Sequence, residues 1–151
     1  MSAALVTGGA RRLGRAMVLA LARAGRDVAI HYNGSRAEAE QTATEARAFG
    51  VRAQVFAADL LDLDTAEALV PAVTARMGAL SVLVNNASIF EHDTIATATR
   101  DSWDRHLGSN LRAPFILSQA FAAQAPRADR SGPEPVAQAL IVNMIDQRVL
   151  K

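Results

Sequence analysis

Cysteine is absent from the 151 residues, which excludes disulfides, thiolate nucleophiles and zinc–thiolate sites in one step. The same absence fits a reducing compartment, and no metal site is expected. Neither sign of charge dominates: the formal net charge is +1, and the fifteen arginines are scattered rather than gathered in a basic block. Charge therefore gives no argument for nucleic acid. No apolar run approaches the roughly 20 residues of a membrane span, and the opening MSAALVTGG lacks a basic n-region. The expectation is a cytoplasmic protein that meets neither nucleic acid nor membrane. What the chain does have is apolar surface to bury: 50% of its residues are hydrophobic and 21% charged, which fits one globular domain with a single core.

Strand and helix patterns alternate along the chain. Ala3 to Thr7, Asp27 to Tyr32, Arg52 to Ala57, Ala79 to Asn85 and Ala137 to Met144 are short apolar runs that read as buried strands. Between them lie helical patterns. Leu13, Ala16, Met17, Ala20, Leu21 and Ala24 form an apolar stripe at spacings of three and four, closed by Gly25. Arg36 to Phe49 follows a turn over Asn33 to Ser35 and stops at Gly50, and a third helix after Asp64 places Leu69, Val70, Val73 and Met77 on one face. Arg100 to Ala123 carries Trp103, Leu107, Leu111 and Phe115 at helical spacing. Trp103 is assigned to helix packing and His106 to the surface. Such alternation implies right-handed crossovers and a doubly wound parallel α/β sheet. The proline-rich stretch Ala125 to Pro135 reads as a surface loop, since composition does not change across it.

Thr7-Gly8-Gly9-Ala10-Arg11-Arg12-Leu13-Gly14 stands directly after the first strand and opens the first helix. Glycines there let the backbone approach a pyrophosphate, and the free amides at a helix N-terminus favour its charge. The plain alternative is a glycine-rich turn between strand and helix.

With Thr7, Gly8 and Gly14 in that turn and Asn85-Asn86-Ala87-Ser88 after the fourth strand, the chain resembles the short-chain dehydrogenase/reductase family. Arg12 replaces the family's middle glycine and Ser88 the glycine of its second motif. The resemblance implies a Rossmann-type sheet, with five of the family's usual seven strands present, and a nicotinamide cofactor. It also implies that Asn86, Ala87 and Ser88 border the adenosine side, that Asp59 with Leu60 meets adenine, and that Asn110 holds a water and the catalytic lysine. Asp59 has a second reading, as a helix cap.

NAD sites of this type carry an acidic residue at the end of the second strand, where it accepts from the ribose hydroxyls and repels a 2′-phosphate. This chain has His31, Tyr32, Asn33, Ser35 and Arg36 there, with Arg11 in the glycine turn, so NADPH is the expected cofactor. The alternative for Arg36 is a solvated first-turn arginine.

Arg12, Ser88 and Asp146 together resemble the pteridine reductase and dihydromonapterin reductase branch. That resemblance implies a pterin substrate stacked on Phe90, with Arg12 and Ser88 at its polar edge or on the cofactor phosphates. Asp146 would stand where most family members have a serine, and would take part in proton delivery to a C=N bond. The competing readings are reduction of another small carbonyl compound, or a non-catalytic nucleotide-binding module. In packing terms, Phe90, Ser88 and Asp146 are a loop contact and two caps.

The family's Tyr-x-x-x-Lys pair has no counterpart, because Tyr32 is the only tyrosine and Lys151 the only lysine. Residues 1–151 are thus expected to be a C-terminally incomplete dinucleotide-binding domain that is inactive alone. The resemblance also implies a homo-oligomer, either tetramer or dimer.

Overall fold

The computed structural model describes residues 2–146. Five parallel strands, β1 (Ala3–Val6), β2 (Val28–Tyr32), β3 (Ala53–Ala57), β4 (Leu80–Asn85) and β5 (Leu140–Asn143), form one sheet in the order β3-β2-β1-β4-β5. Successive residues of β1 point to opposite faces, so each face of the sheet has its own core. Ala4 and Val6 pack with Val28, Ile30, Val82 and Val84 under α1 (Arg12–Arg23) and α2 (Arg36–Arg47). Ala3 and Leu5 pack with Leu80 and Leu83 under α3 (Leu63–Met77) and α5 (Ala113–Gln124). This is the doubly wound arrangement that the alternation predicts. Among the described residues, no helix is long and apolar enough to cross a membrane.

The face of α3 matches expectation: Leu69, Val70, Val73 and Met77 are all buried. For α1 the stripe is different. Leu13, Ala16, Ala20 and Ala24 are exposed and Met17 and Leu21 half-buried, while Gly14, Val18 and Ala22 form the buried line. Gly14, with no Cβ, lets the start of this helix sit close on the turn after β1, a geometric demand that hydrophobicity alone does not register. The helix expected over Arg100 to Ala123 is interrupted. It consists of α4 (Arg100–Leu107), a π-helical turn over Gly108–Arg112, and α5. Trp103, Leu107, Leu111 and Phe115 do share one side, but that side is exposed, and Ser102, Ser109, Ala113, Leu117 and Phe121 take the inner positions. Trp103 is therefore a surface residue and not a packing one.

Smaller differences lie at the ends of elements. Helix α2 stops at Arg47, and Phe49 is half-exposed beyond it with the Arg23 guanidinium 5.3 Å from its ring centroid. Strand β5 pairs only over Leu140–Asn143, in register with Val82 to Asn85. The stretch from Ala125 to Pro135 is a surface loop, as expected.

Candidate functional site

The strand order runs outward in both directions from β1, so the connections after β1 and β4 diverge and leave a crevice at the carboxyl edge of the sheet. A cleft of about 460 Å³ occupies it. Its walls are the loops that follow four strands. Gly8, Arg11, Arg12, Leu13 and Gly14 come from the loop after β1; His31, Asn33, Gly34 and Ser35 from the end of β2. Asp59, Leu60 and Leu61 follow β3, Asn86 to Ile89 follow β4, and Ser109 reaches in from the π-helical turn.

The glycine turn is held from below by Thr7, which is buried. Its hydroxyl donates to the Val84 carbonyl (3.2 Å) and accepts from the backbone N–H groups of Asn86 and Ala87, both at 2.9 Å. The Asn86 amide completes the link, donating from Nδ2 to the carbonyls of Thr7 (2.8 Å) and Gly8 (3.3 Å). The motifs after β1 and β4 are thus one hydrogen-bonded unit. From the outer side, the Thr42 hydroxyl of α2 donates to the Ala10 carbonyl at 3.0 Å.

Two backbone features shape the turn. Gly8 has φ +61°, in the left-handed region. Arg12, at the family's glycine position, has φ +52°, the one positive φ at a non-glycine among the described residues. Holding an arginine there costs about 1–2 kcal/mol relative to a right-handed backbone. Helix α1 then begins with no acidic side chain in its first turn and no side-chain cap. Its first residues, Arg12, Leu13 and Gly14, line the cleft at the positive end of the helix dipole, a setting suited to a phosphate.

Charge along the rim is mixed. Arg11 lies 3.4 Å from Glu38 in an exposed pair, and Arg15 is paired with Glu45. Such exposed pairs are worth at most about 1 kcal/mol, so Arg11 is easily recruited by a stronger anion. Asp59 accepts from the Leu61 N–H (3.0 Å), and the cap of α3 is Asp62, whose carboxylate accepts from Thr65 N–H at 2.9 Å. The cap reading of Asp59 is therefore replaced by a turn that faces the cleft.

His31 is buried at the floor. Its Nδ1 accepts from the Gly8 N–H (3.0 Å), which places the ring proton on Nε2, where it donates to the Ala58 carbonyl (3.0 Å). Burial disfavours the imidazolium and lowers its pKa below the ordinary value of 6.5, against the smaller opposing pull of the Ala58 carbonyl and Asp59. The charged groups that share its cleft are Asp59, Arg11 and Arg12. Because the folded pKa is the lower one, the unfolded chain takes up the proton first. The stability contributed by neutral His31 is complete above pH 6.5 and is lost as pH falls from there toward the folded value, at no more than about 1.4 kcal/mol per pH unit. Denaturant unfolding between pH 7 and pH 5 should therefore lose stability more steeply in the wild type than in His31→Asn. Equal slopes would contradict the assignment.

The remaining expected residues fall outside the cleft wall. Tyr32 is buried in the core under α1 and α2, because β2 alternates its side chains and Tyr32 points with Ile30. Arg36 is exposed at the first position of α2, next to Ser35. Phe90 is exposed beyond Ile89, and Asp146 is exposed three residues past the end of β5, at the same carboxyl edge.

Asn110 lies on the π-helical turn, and its amide pairs with the backbone of Ile89 in both directions. Oδ1 accepts from the Ile89 N–H (3.0 Å) and Nδ2 donates to the Ile89 carbonyl (2.9 Å). The next link is His106, set aside as a surface residue by sequence reasoning. It accepts from the Glu91 N–H at 3.0 Å through Nε2, with Nδ1 2.8 Å from the Ser102 carbonyl. Arg105 adds a two-pronged ion pair to Glu91. Phe90 thus sits between two backbone positions that are both tied to the helix behind them. Nothing in the spacing of His106 and Glu91 announces this link, because it depends on the loop folding back onto α4.

Comparison with known proteins agrees with this geometry. The short chain dehydrogenase family model matches residues 2–133. The 3-oxoacyl-[acyl-carrier-protein] reductase FabG of Staphylococcus aureus is 37% identical over 129 residues, covering 85% of this chain and 52% of that protein. Among solved structures, FolM alternative dihydrofolate reductase 1 from Brucella suis, in complex with NADP, is 39% identical with a TM-score of 0.85, over 98% of this chain and 58% of that one. A short chain dehydrogenase from Burkholderia cenocepacia, also in complex with NADP, is 38% identical with a TM-score of 0.81, over 83% of this chain and 51% of that one. The chain spans about half the length of the curated relatives it matches. It belongs to the short-chain dehydrogenase/reductase family.

Proposed function

We propose that the full-length protein is an NADPH-dependent short-chain oxidoreductase that delivers hydride to a C=N bond of a pterin. The observation that carries the cofactor choice is the rim at the end of β2. Asn33, Gly34 and Ser35 line the cleft there with Arg11 beside them, and β2 ends without an acidic residue. Amide, hydroxyl and guanidinium donors suit a 2′-phosphate dianion, which a carboxylate at that position would repel. Arg36 completes the set from the start of α2. The similarity to NADP-bound relatives supports the same reading.

For the substrate, Arg12 lines the cleft and stands at an unfavourable backbone where glycine would be unstrained, which favours a role for the side chain. Ser88 joins it from the loop after β4, and Phe90 supplies an exposed aromatic face held from both sides. A flat heteroaromatic ring fits between a nicotinamide and such a wall. Asp146, at the carboxyl edge of the sheet, is the proposed proton donor, and the similarity to a dihydrofolate reductase supports a pteridine-type ring. The identity with FabG favours a second reading, a 3-oxoacyl or other carbonyl substrate. The exposed ridge of Trp103, Leu107, Leu111 and Phe115 supports a homo-oligomer in which a second copy covers that ridge.

The test is NADPH oxidation by the full-length polypeptide, offered a dihydropterin and, separately, a 3-oxoacyl thioester. Preference for the pterin supports the leading reading, and preference for the thioester replaces it. Arg36→Ala should weaken NADPH binding about tenfold, the value of one charge-assisted contact, and leave NADH binding unchanged. Equal losses for both cofactors would remove Arg36 from the phosphate site.

A further inference from the structure

His31 presents a histidine in a cleft fitted for phosphate, and its bonding is the opposite of what a phosphate ligand needs. A ring that contributes to anion binding offers an N–H to the anion, and it does so best as an imidazolium. Here one nitrogen is an acceptor already filled by the Gly8 N–H, and the other donates to the Ala58 carbonyl. The residue as a whole is 2% exposed. Its own backbone carbonyl also accepts from the Gly9 N–H at 2.9 Å. One residue at the end of β2 therefore engages the first two glycine amides of the turn and ties them to the residue after β3.

The Gly8 unit is fixed from its other side as well. Its carbonyl accepts from Asn86 Nδ2, and Gly14 lies so close that an added Cβ would meet the same oxygen. With both ends of Gly8 engaged within the protein, its N–H is not offered to a ligand. Arg12, Leu13 and Gly14 at the start of α1 also line the cleft, and the contact of Gly14 with the Gly8 carbonyl ties their position to where Gly8 is held.

We propose that His31 is a positioning residue that, as a neutral Nε2–H imidazole, staples the glycine turn to the end of β3 and so sets the place of the phosphate-binding amides, without itself touching the cofactor. The proposal rests on the reading of this cleft as the NADPH site. It divides the ring's two contacts by function: the acceptor toward Gly8 governs cofactor affinity, whereas the donor toward Ala58 only orients the ring.

Asparagine places Oδ1 near the position of Nδ1 and keeps the acceptor. Glutamine places its amide nitrogen near Nε2 and keeps only the donor, and leucine keeps neither. In the full-length protein, fluorescence titration with NADPH should find His31→Asn within about threefold of wild type. His31→Gln and His31→Leu should bind roughly ten- to a hundredfold more weakly, as expected for a buried N–H left without its acceptor. Gln binding as tightly as Asn, or Asn binding as weakly as Leu, would overturn the division of roles. Leu binding like wild type would overturn the staple altogether. A purely structural role would instead lower affinity in all three variants in step with their melting temperatures.

The wild type supplies a readout that no variant's folding can confound. Nitrogen-15 NMR should report His31 with Nδ1 bare and Nε2 protonated, unchanged in shift pattern when NADPH is added. The opposite tautomer, or a large shift at Nε2 on binding, would overturn the proposal. If the wild-type protein fails to bind NADPH, the cofactor reading falls by itself, and the NMR result still decides the staple.

Discussion

Gly14→Ala is expected to abolish NADPH binding and to destabilise the fold. A Cβ at this position would lie 2.0 Å from the Gly8 carbonyl oxygen, 2.8 Å from its carbon and 2.7 Å from Asn86 Nδ2. Two of these three atoms are backbone, and the third is the side chain that locks the glycine turn to the loop after β4. None is a flexible chain end that can swing aside. The helix α1 must then lift from the turn, which separates its leading amides from the cleft and strains the close line of Gly14, Val18 and Ala22 on the sheet. Overpacking of this kind costs typically about 1–3 kcal/mol and here stands toward the upper end. The loss of binding should exceed a hundredfold, since misplacing a phosphate cradle removes several hydrogen bonds together. Gly34→Ala is the control for stability, because its added Cβ meets no atom within 4 Å and should change unfolding by less than about 0.5 kcal/mol. Thermal unfolding and cofactor titration of the two variants side by side decide the matter. A Gly14→Ala protein as stable and as tightly binding as the wild type would show that the turn is far more pliant than its contacts imply.

This close approach also explains why much of the site is legible in sequence. Strand–turn–helix order and the placement of glycines are local properties, and they locate the cleft because the carboxyl ends of parallel strands gather at one edge. Of the residues expected to meet the cofactor, those in the turns other than Thr7 line the cleft, including Arg11, Asn33 and Asp59. Tyr32 does not, because strand alternation turns it into the core while His31 points the other way. Helix faces are less legible. An alanine-rich helix such as α1 offers two plausible stripes, and the one that packs contains Gly14, whose missing Cβ lets the helix approach the Gly8 carbonyl. The exposed ridge of α4 and α5 satisfies every rule of helical periodicity, yet periodicity cannot say whether a partner is the chain's own sheet or another surface.

Least legible are contacts made by folded loops. Asn110 stands out only as a polar residue in a helix, and the π-helical turn that aims it at Ile89 leaves no mark on composition. His106 and Arg105 likewise acquire a role only once Glu91 has folded back to meet them. These ties place Phe90 with respect to the cleft, so the wall proposed for the substrate is specified by residues that no motif contains. The same holds for Thr7. Sequence assigns it to a phosphate turn, whereas its hydroxyl is turned inward to bind the neighbouring loop.

Thr7→Val tests that inward role directly. Valine has nearly the shape of threonine, so packing in the buried site is preserved and only the hydroxyl is lost. The backbone N–H groups of Asn86 and Ala87 then lose the acceptor they share at the junction between β1 and β4. The Val84 carbonyl is less affected, because it also accepts from the Thr7 N–H at 2.9 Å. Each unsatisfied N–H costs about 1–3 kcal/mol, and partial access to water reduces the sum, giving about 2–4 kcal/mol in all. That is a large share of the about 5–15 kcal/mol that holds a typical domain folded. Thr7→Ser keeps the hydroxyl and loses one methyl group, for about 1 kcal/mol. Serine should therefore stay close to wild type in stability and cofactor affinity, while valine, the better isostere, should lose both. The inversion is the diagnostic result: if valine proves as stable as serine, the two motifs are joined by packing alone, and the hydroxyl does not hold the site together.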